Sequence, residues 1–91
     1  APNSIRSILG GFVKNTKAFH SLDGSGYQFI AEQISLVDTS NPITASRLVK
    51  VFSRWKNYIE PNSHNMLKSI KFLSQKDLST NTREVVSNIL T

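Results

Sequence analysis

No cysteine occurs among the 91 residues, no apolar run approaches the length of a membrane span, and acidic residues number only six. Without cysteine there is no disulfide framework and no thiolate metal site, which fits a reducing compartment and makes the cytoplasm the expected location. A bilayer crossing needs roughly 18 consecutive apolar residues. The densest stretch, Val49 to Trp55, is interrupted by Lys50, Ser53 and Arg54, so no membrane partner is expected. The opening residues Ala-Pro-Asn-Ser show no basic segment followed by an apolar one, so no leader peptide is expected. Metal chemistry also lacks its donors. His20 and His64 lie in different segments, no H-E-x-x-H pair occurs and the carboxylates are scattered.

What is present is enough apolar residue to fold, 38% against 19% charged, in a chain the size of one small domain or a piece of a larger one. Eleven basic residues against six acidic give a net charge of +5. That field favours anionic partners in general but says nothing about fold. The basic residues are spread between apolar ones, with no block of five, so they read as solvated helix faces.

The apolar spacing is helical from end to end. Ile5, Ile8, Leu9, Phe12 and Val13 line one side of a first helix, capped by Asn3 and weakened by Gly10 and Gly11. Asn15 to Ser25 reads as a connector whose Ser25 caps the next helix. That second helix carries Tyr27, Ile30, Ala31, Ile34 and Val37 on one side and Phe29 and Leu36 on another, a pattern expected of a helix packed between neighbours. Asn41-Pro42 is a strong start signal for a third, because proline at the first helical position lacks only an N–H that would be unpaired there. The third helix is expected to turn Leu48, Val51, Phe52, Trp55 and Ile59 inward and to end at Glu60-Pro61. A fourth starts near Asn62 with Met66, Leu67, Ile70 and Leu73 inside. Ser79 opens a fifth, with Thr82, Val85, Val86, Ile89 and Leu90 inside. No window alternates apolar and polar residues as a half-buried strand does.

The expected fold is therefore all-α, about five antiparallel helices in a short armadillo/HEAT-like superhelical stack, an α-solenoid. Helix starts near residues 4, 25, 42, 61 and 79 recur at the interval of such helix pairs. A stack of this kind has open ends, and a first helix with two glycines needs support, so residues 1–91 are expected to be a single fragment of a larger helical domain. Alone it is expected to self-associate through uncovered apolar surface.

Enzymatic signatures are missing. Asp23-Gly24-Ser25-Gly26 has neither the spacing nor the lysine of a phosphate loop and reads as a turn and cap. Gly24-Ser25-Gly26 is too short for a nucleophile elbow. Two arginines stand out, Arg6 on the first helix and Arg47 early in the third, each beside an apolar side rather than opposite it. A guanidinium so placed can hold a carboxylate bidentately in a groove. The competing reading is that both pair with backbone carbonyls or a nearby acid.

Four blocks in order, Pro2-Asn3-Ser4-Ile5-Arg6-Ser7-Ile8-Leu9-Gly10, Ala18-Phe19-His20-Ser21-Leu22-Asp23-Gly24-Ser25-Gly26-Tyr27-Gln28-Phe29, Asn41-Pro42-Ile43-Thr44-Ala45-Ser46-Arg47-Leu48 and Arg54-Trp55-Lys56-Asn57-Tyr58, resemble the extreme C-terminus of the bacterial-type aminopeptidase N family. These are alanyl aminopeptidases of the zinc-dependent gluzincin class. The resemblance implies the end of a C-terminal superhelical domain that closes over a catalytic domain and turns the active site into a chamber. The family's zinc site and its substrate-amine strand lie far upstream, so zinc belongs to the parent enzyme and this segment carries no cofactor and no catalytic residue. Arg6 and Arg47 are similar to arginines that line the chamber and face the substrate's C-terminal side or a bound anion. The implied partners are the upstream catalytic and helical domains of the same chain, and peptide substrates. The alternative class is an autonomous basic helical adapter binding nucleic acid or an acidic protein surface. Against it, the helix of Arg47, Lys50 and Arg54 carries too many large apolar residues for a short free-standing unit.

Overall fold

The computed structural model describes residues 9–91. Its α-helical stretches are residues 9–14 (α1), Thr16–Phe19 (α2), Ser25–Asp38 (α3), Pro42–Val49 (α4), Asn62–Ser74 (α5) and Thr80–Leu90 (α6), with single 3₁₀ turns at Lys50–Phe52 and Trp55–Asn57. No strand occurs among the described residues. The hairpin α3–α4 stacks on the hairpin α5–α6, with α3 against α5 and α4 against α6. First helix on first and second on second is the packing of an α-solenoid, and the fold is the all-α stack that the spacing implied.

The core lies between the two hairpins. Tyr27, Ile30 and Ile34 of α3, Val49 of α4, Phe52 after it, and Met66, Ile70 and Leu73 of α5 are fully buried. Each large side chain of this set contributes roughly 1.5–3 kcal/mol by leaving water, which makes the interface between hairpins the main source of stability. Val86 closes the core from α6. Leu67, expected inside, is half-buried, as are Val85, Ile89 and Leu90, which pack on the rim.

Local chemistry explains most of the boundaries. Asn41 caps α4, its side chain accepting the Thr44 N–H at 3.2 Å, and Pro42 takes the first helical position. Ser79 caps α6 by accepting the Thr82 N–H at 3.3 Å. Three expectations need correction. The connector before α3 is not featureless: Asn15 caps the single helical turn of α2, which delivers Phe19 to the core at 2% exposure. Ser25 is the first residue of α3 rather than its cap. Gly24 takes the cap position at φ 79°, a left-handed conformation open to glycine, while the Asp23 carboxylate accepts the Ser25 N–H at 2.9 Å.

The third correction concerns α4, which ends at Val49 rather than near Ile59. Its successors use i to i+3 bonds, Ser53 N–H to Lys50 O and Tyr58 N–H to Trp55 O. A 3₁₀ turn advances side chains by 120° rather than 100°, so the stripe that put Ile59 inward is lost. Ile59 is 83% exposed, while Trp55 remains half-buried and donates its indole N–H to Ile89 O at 3.1 Å. The expected positions of Asn3, Ile5 and Ile8 lie outside the described residues. Among the described residues no helix is long and apolar enough to cross a membrane.

Candidate functional site

Arg47 is the sequence-derived site residue that the structure describes; Arg6 lies outside the described residues. The cap at Asn41 sets the phase of α4, and the burial of Thr44, Ala45, Leu48 and Val49 turns Ile43, Arg47 and Lys50 outward. Arg54 is exposed as well, after the first 3₁₀ turn. The ion pair found among the described residues joins Arg83 and Asp77 at 3.8 Å, with both side chains largely in solvent. Arg47 has no hydrogen bond or ion pair within this set. Its guanidinium is thus presented to the surface, one helical turn beyond the exposed apolar side chain of Ile43.

Two polar clusters escaped sequence reasoning. In the first, Asn62 at the start of α5 donates to Tyr27 Oη at 2.9 Å and to His20 O at 3.3 Å, and Tyr27 Oη lies 2.5 Å from His20 Nδ1. In the Nε2–H tautomer of His20, Nδ1 accepts the phenol proton of Tyr27 while Asn62 donates to the same oxygen. His20 also stacks on Tyr58, ring centroids 5.0 Å apart. Burial lowers the pKa of His20 from its ordinary 6.5. The Tyr27 phenol is raised from 10.0, chiefly by burial.

The second cluster is centred on Asp38, 4% exposed at the end of α3. Its carboxylate accepts the Ser79 N–H at 2.6 Å, the Ser79 hydroxyl at 2.7 Å and the Thr82 hydroxyl at 2.5 Å. Burial pushes this carboxyl up, but the Thr82 and Ser79 bonds, with the charge of Arg83, outweigh it and leave the pKa below 3.8. Both clusters are tertiary ties: every buried polar side-chain atom among the described residues has a partner. No sequence signal joins Asn62 to Tyr27 or Thr82 to Asp38, which lie 35 and 44 residues apart.

Donors for a metal do not converge here. Among the described residues no group of three or more His, Cys, Asp or Glu side chains comes together; His20 is engaged by Tyr27 and His64 is exposed on α5. The residues present therefore do not fit a zinc site. An open groove of about 450 Å³ runs between α3 and α5, lined by Asp23, Gln28, Asn65, Lys68, Ser69 and Phe72.

Comparison with known proteins gives this stack of helix hairpins its context. A family model described as "Domain of unknown function (DUF3458_C) ARM repeats" matches residues 1–91. Aminopeptidase N of Caulobacter vibrioides is 34% identical over 98% of this chain and 10% of its own length. Aminopeptidase N of Escherichia coli is 36% identical over 98% of this chain and 10% of its own length. The Haemophilus influenzae protein of the same name is 35% identical over 80% of this chain and 8% of its own. The chain thus spans about a tenth of the length of the curated relatives it matches, in their C-terminal part. With the family match running from end to end of a chain that folds as stacked helix hairpins, the chain belongs to the DUF3458_C family of ARM repeats and is similar over nearly all its length to the C-terminal part of aminopeptidase N.

Proposed function

We propose that the chain is the C-terminal helical module of a zinc-dependent aminopeptidase, a cytoplasmic enzyme that removes N-terminal residues from peptides, and that it helps enclose the active-site chamber and position substrate. The observation that carries this reading is the similarity to aminopeptidase N over 98% of the chain. The described residues offer no metal donor set. In this reading the zinc ligands and the chemistry belong to the upstream part of the polypeptide. Zinc in such enzymes polarises the scissile carbonyl and activates water.

The part left to this chain is geometric. Arg47, presented outward from a capped and packed helix, is the group placed to meet a peptide's carboxylate or carbonyls. A guanidinium's planar fork binds such groups bidentately. Holding the far end of a peptide limits how the scissile bond lies at the distant metal, which is a positioning effect rather than a chemical one. Arg6 is assigned the same role on the resemblance alone.

The test compares the full-length enzyme with its Arg47→Ala and Arg6→Ala variants on an alanyl chromogenic substrate and on peptides of two and five residues. The expected result is a fall in kcat/KM of about tenfold or more on at least one peptide length, the size of a lost charge-assisted hydrogen bond. If both variants treat every substrate as the parent does, neither arginine positions substrate and the segment serves as packing alone.

A further inference from the structure

Arg47 does not stand alone on its helix. Lys50, three residues on, caps the end of α4 with its backbone still right-handed helical at φ −63° and ψ −14°, and it is exposed as Arg47 is. Side chains three apart on a helix are neighbours, with Cβ atoms about 5–6 Å apart. Arg54 lies beyond the 3₁₀ turn Lys50–Phe52 and outside that α-helical register. The exposed line of α4 is thus Ile43, Arg47 and Lys50, an apolar side chain followed by two cations on successive turns.

Two like charges one turn apart repel, and only part of that cost is offset by the negative end of the α4 dipole. No acid of the stack joins them: neither Arg47 nor Lys50 forms an ion pair among the described residues. The carboxylates on the helices packed against α4 are placed otherwise. On α3, Asp38 is held by Ser79 and Thr82, and Glu32 lies beside Gln28; on α6, Glu84 is exposed. The opposite side of α4, formed by Thr44, Ala45, Leu48 and Val49, is sealed against the stack, and Asn41 fixes its start. The two cations are therefore carried on a rigid element, the kind of support that gives a binding group a defined position.

We propose that Lys50 is a specificity-determining residue beside Arg47, and that the pair selects peptides with an acidic C-terminal residue: Arg47 holds the terminal carboxylate and Lys50 the side-chain carboxylate of that same residue. Three carbon atoms separate the two carboxyl groups of a terminal glutamate, a span of about one helical turn. The division of roles follows from shape. The guanidinium fork takes a carboxylate bidentately, whereas an ammonium is a point charge on a flexible stem that meets a mobile side-chain carboxylate from many directions. A glutamine in that place leaves Lys50 without a charged partner, and a lysine there is repelled by it. The inference rests on the functional reading in placing Arg47 toward substrate; to that reading it adds a second residue and a class of substrate.

The experiment measures kcat/KM of the full-length enzyme at low ionic strength on three pentapeptides, four alanines followed by Glu, Gln or Lys. The wild type is compared with Lys50→Gln, Lys50→Glu and Arg47→Ala, and with Lys71→Gln on α5 as the control for net charge. Lys50 and Lys71 are both exposed, so their substitution leaves the core untouched. The wild type is expected to prefer the Glu peptide over the Gln peptide about three- to fivefold, the size of a well-placed exposed ion pair. That ratio is expected to fall to about one in Lys50→Gln, to stay at the wild-type value in Lys71→Gln, and to give way in Lys50→Glu to a preference for the Lys peptide. A ratio near one in the wild type, or one that survives in Lys50→Gln, overturns the role of Lys50; if Arg47→Ala still slows every pentapeptide, the positioning reading stands without it. A loss in Lys71→Gln equal to that in Lys50→Gln overturns the location in favour of net charge. No change in Arg47→Ala on any pentapeptide overturns the positioning reading of Arg47, and the paired arrangement with it.

Discussion

Asp38, the last residue of α3, and Thr82, in the first turn of α6, are hydrogen bonded at 2.5 Å although 44 residues separate them in the chain. The bond fastens the end of one hairpin's first helix to the start of the other hairpin's second helix. A carboxylate there also meets the positive end of the α6 dipole and accepts the Ser79 N–H that the helix itself leaves unpaired.

Removing that carboxylate is expected to be costly. Asp38→Ala leaves the hydroxyls of Ser79 and Thr82 and one backbone N–H without their acceptor, and bonds to a buried charge contribute about 1.5–3 kcal/mol. A loss of roughly that size is expected in urea unfolding at pH 7. Because the folded pKa of Asp38 lies below 3.8, the unfolded chain binds the proton more readily. The contribution is therefore whole above pH 3.8 and is lost as pH falls through the folded value. The wild type should lose stability in acid more steeply than Asp38→Ala.

The His20 cluster titrates at higher pH. Burial holds the folded His20 below 6.5, so its stabilising effect is present above pH 6.5 and declines as pH falls through the folded value. Protonation puts a hydrogen on Nδ1, where the Tyr27 phenol needs an acceptor. The melting temperature is expected to drop as pH is lowered from 7 toward 5. In His20→Phe that part of the pH dependence is expected to vanish. Tyr27→Phe, which keeps the buried ring and removes the hydroxyl, should cost about 1 kcal/mol at pH 7.

Glycine to alanine has opposite signs at two places in this chain. A Cβ at Gly11, within α1, meets no atom within 4 Å, so Gly11→Ala should stabilise by up to about 1 kcal/mol through helix propensity. A Cβ at Gly26 would overlap the backbone carbonyls of Ala18 and Phe19, lying 2.5 Å from the latter. There α3 approaches α2 too closely for any side chain. The overlap outweighs the propensity gain, and Gly26→Ala should destabilise by roughly 1–3 kcal/mol. Chemical denaturation of the two variants side by side reads the difference in sign.

Arg47→Ala should melt within about 0.5 kcal/mol of the wild type, since an exposed side chain without partners among the described residues contributes little to stability. This separates the positioning role from a structural one. A kinetic defect in a variant of unchanged melting temperature belongs to substrate, whereas a large loss of stability would make Arg47 a packing residue.

The starts of α3, α4, α5 and α6, at Ser25, Pro42, Asn62 and Thr80, and the inward positions of Tyr27, Ile30, Ile34, Met66 and Ile70 are legible in the linear chain. Caps act within three residues and helical periodicity within seven or eight, so the information is local. The residue type at Arg47 is legible in the same way, and the resemblance carried by the four ordered blocks led to the family that the comparisons show.

Tertiary structure alone decided the rest. The apolar stripe continues to Ile59, yet α4 stops at Val49 and Trp55 reaches Ile89, 34 residues away. Which of the two apolar sides of α3 is covered depends on where α4 and α5 pack. The Tyr27 side is sealed, and Leu36 is left open on the other. The outward aim of Arg47 follows from the burial of Thr44 and Leu48 against the rest of the stack. The bonds of Asp38 to Thr82 and of Asn62 to Tyr27 and His20 join groups that the chain keeps far apart. Local rules set which segments are helical because a helix satisfies its own backbone. Faces, ends and long-range hydrogen bonds are set by what each helix meets, and that is known only once the hairpins have stacked.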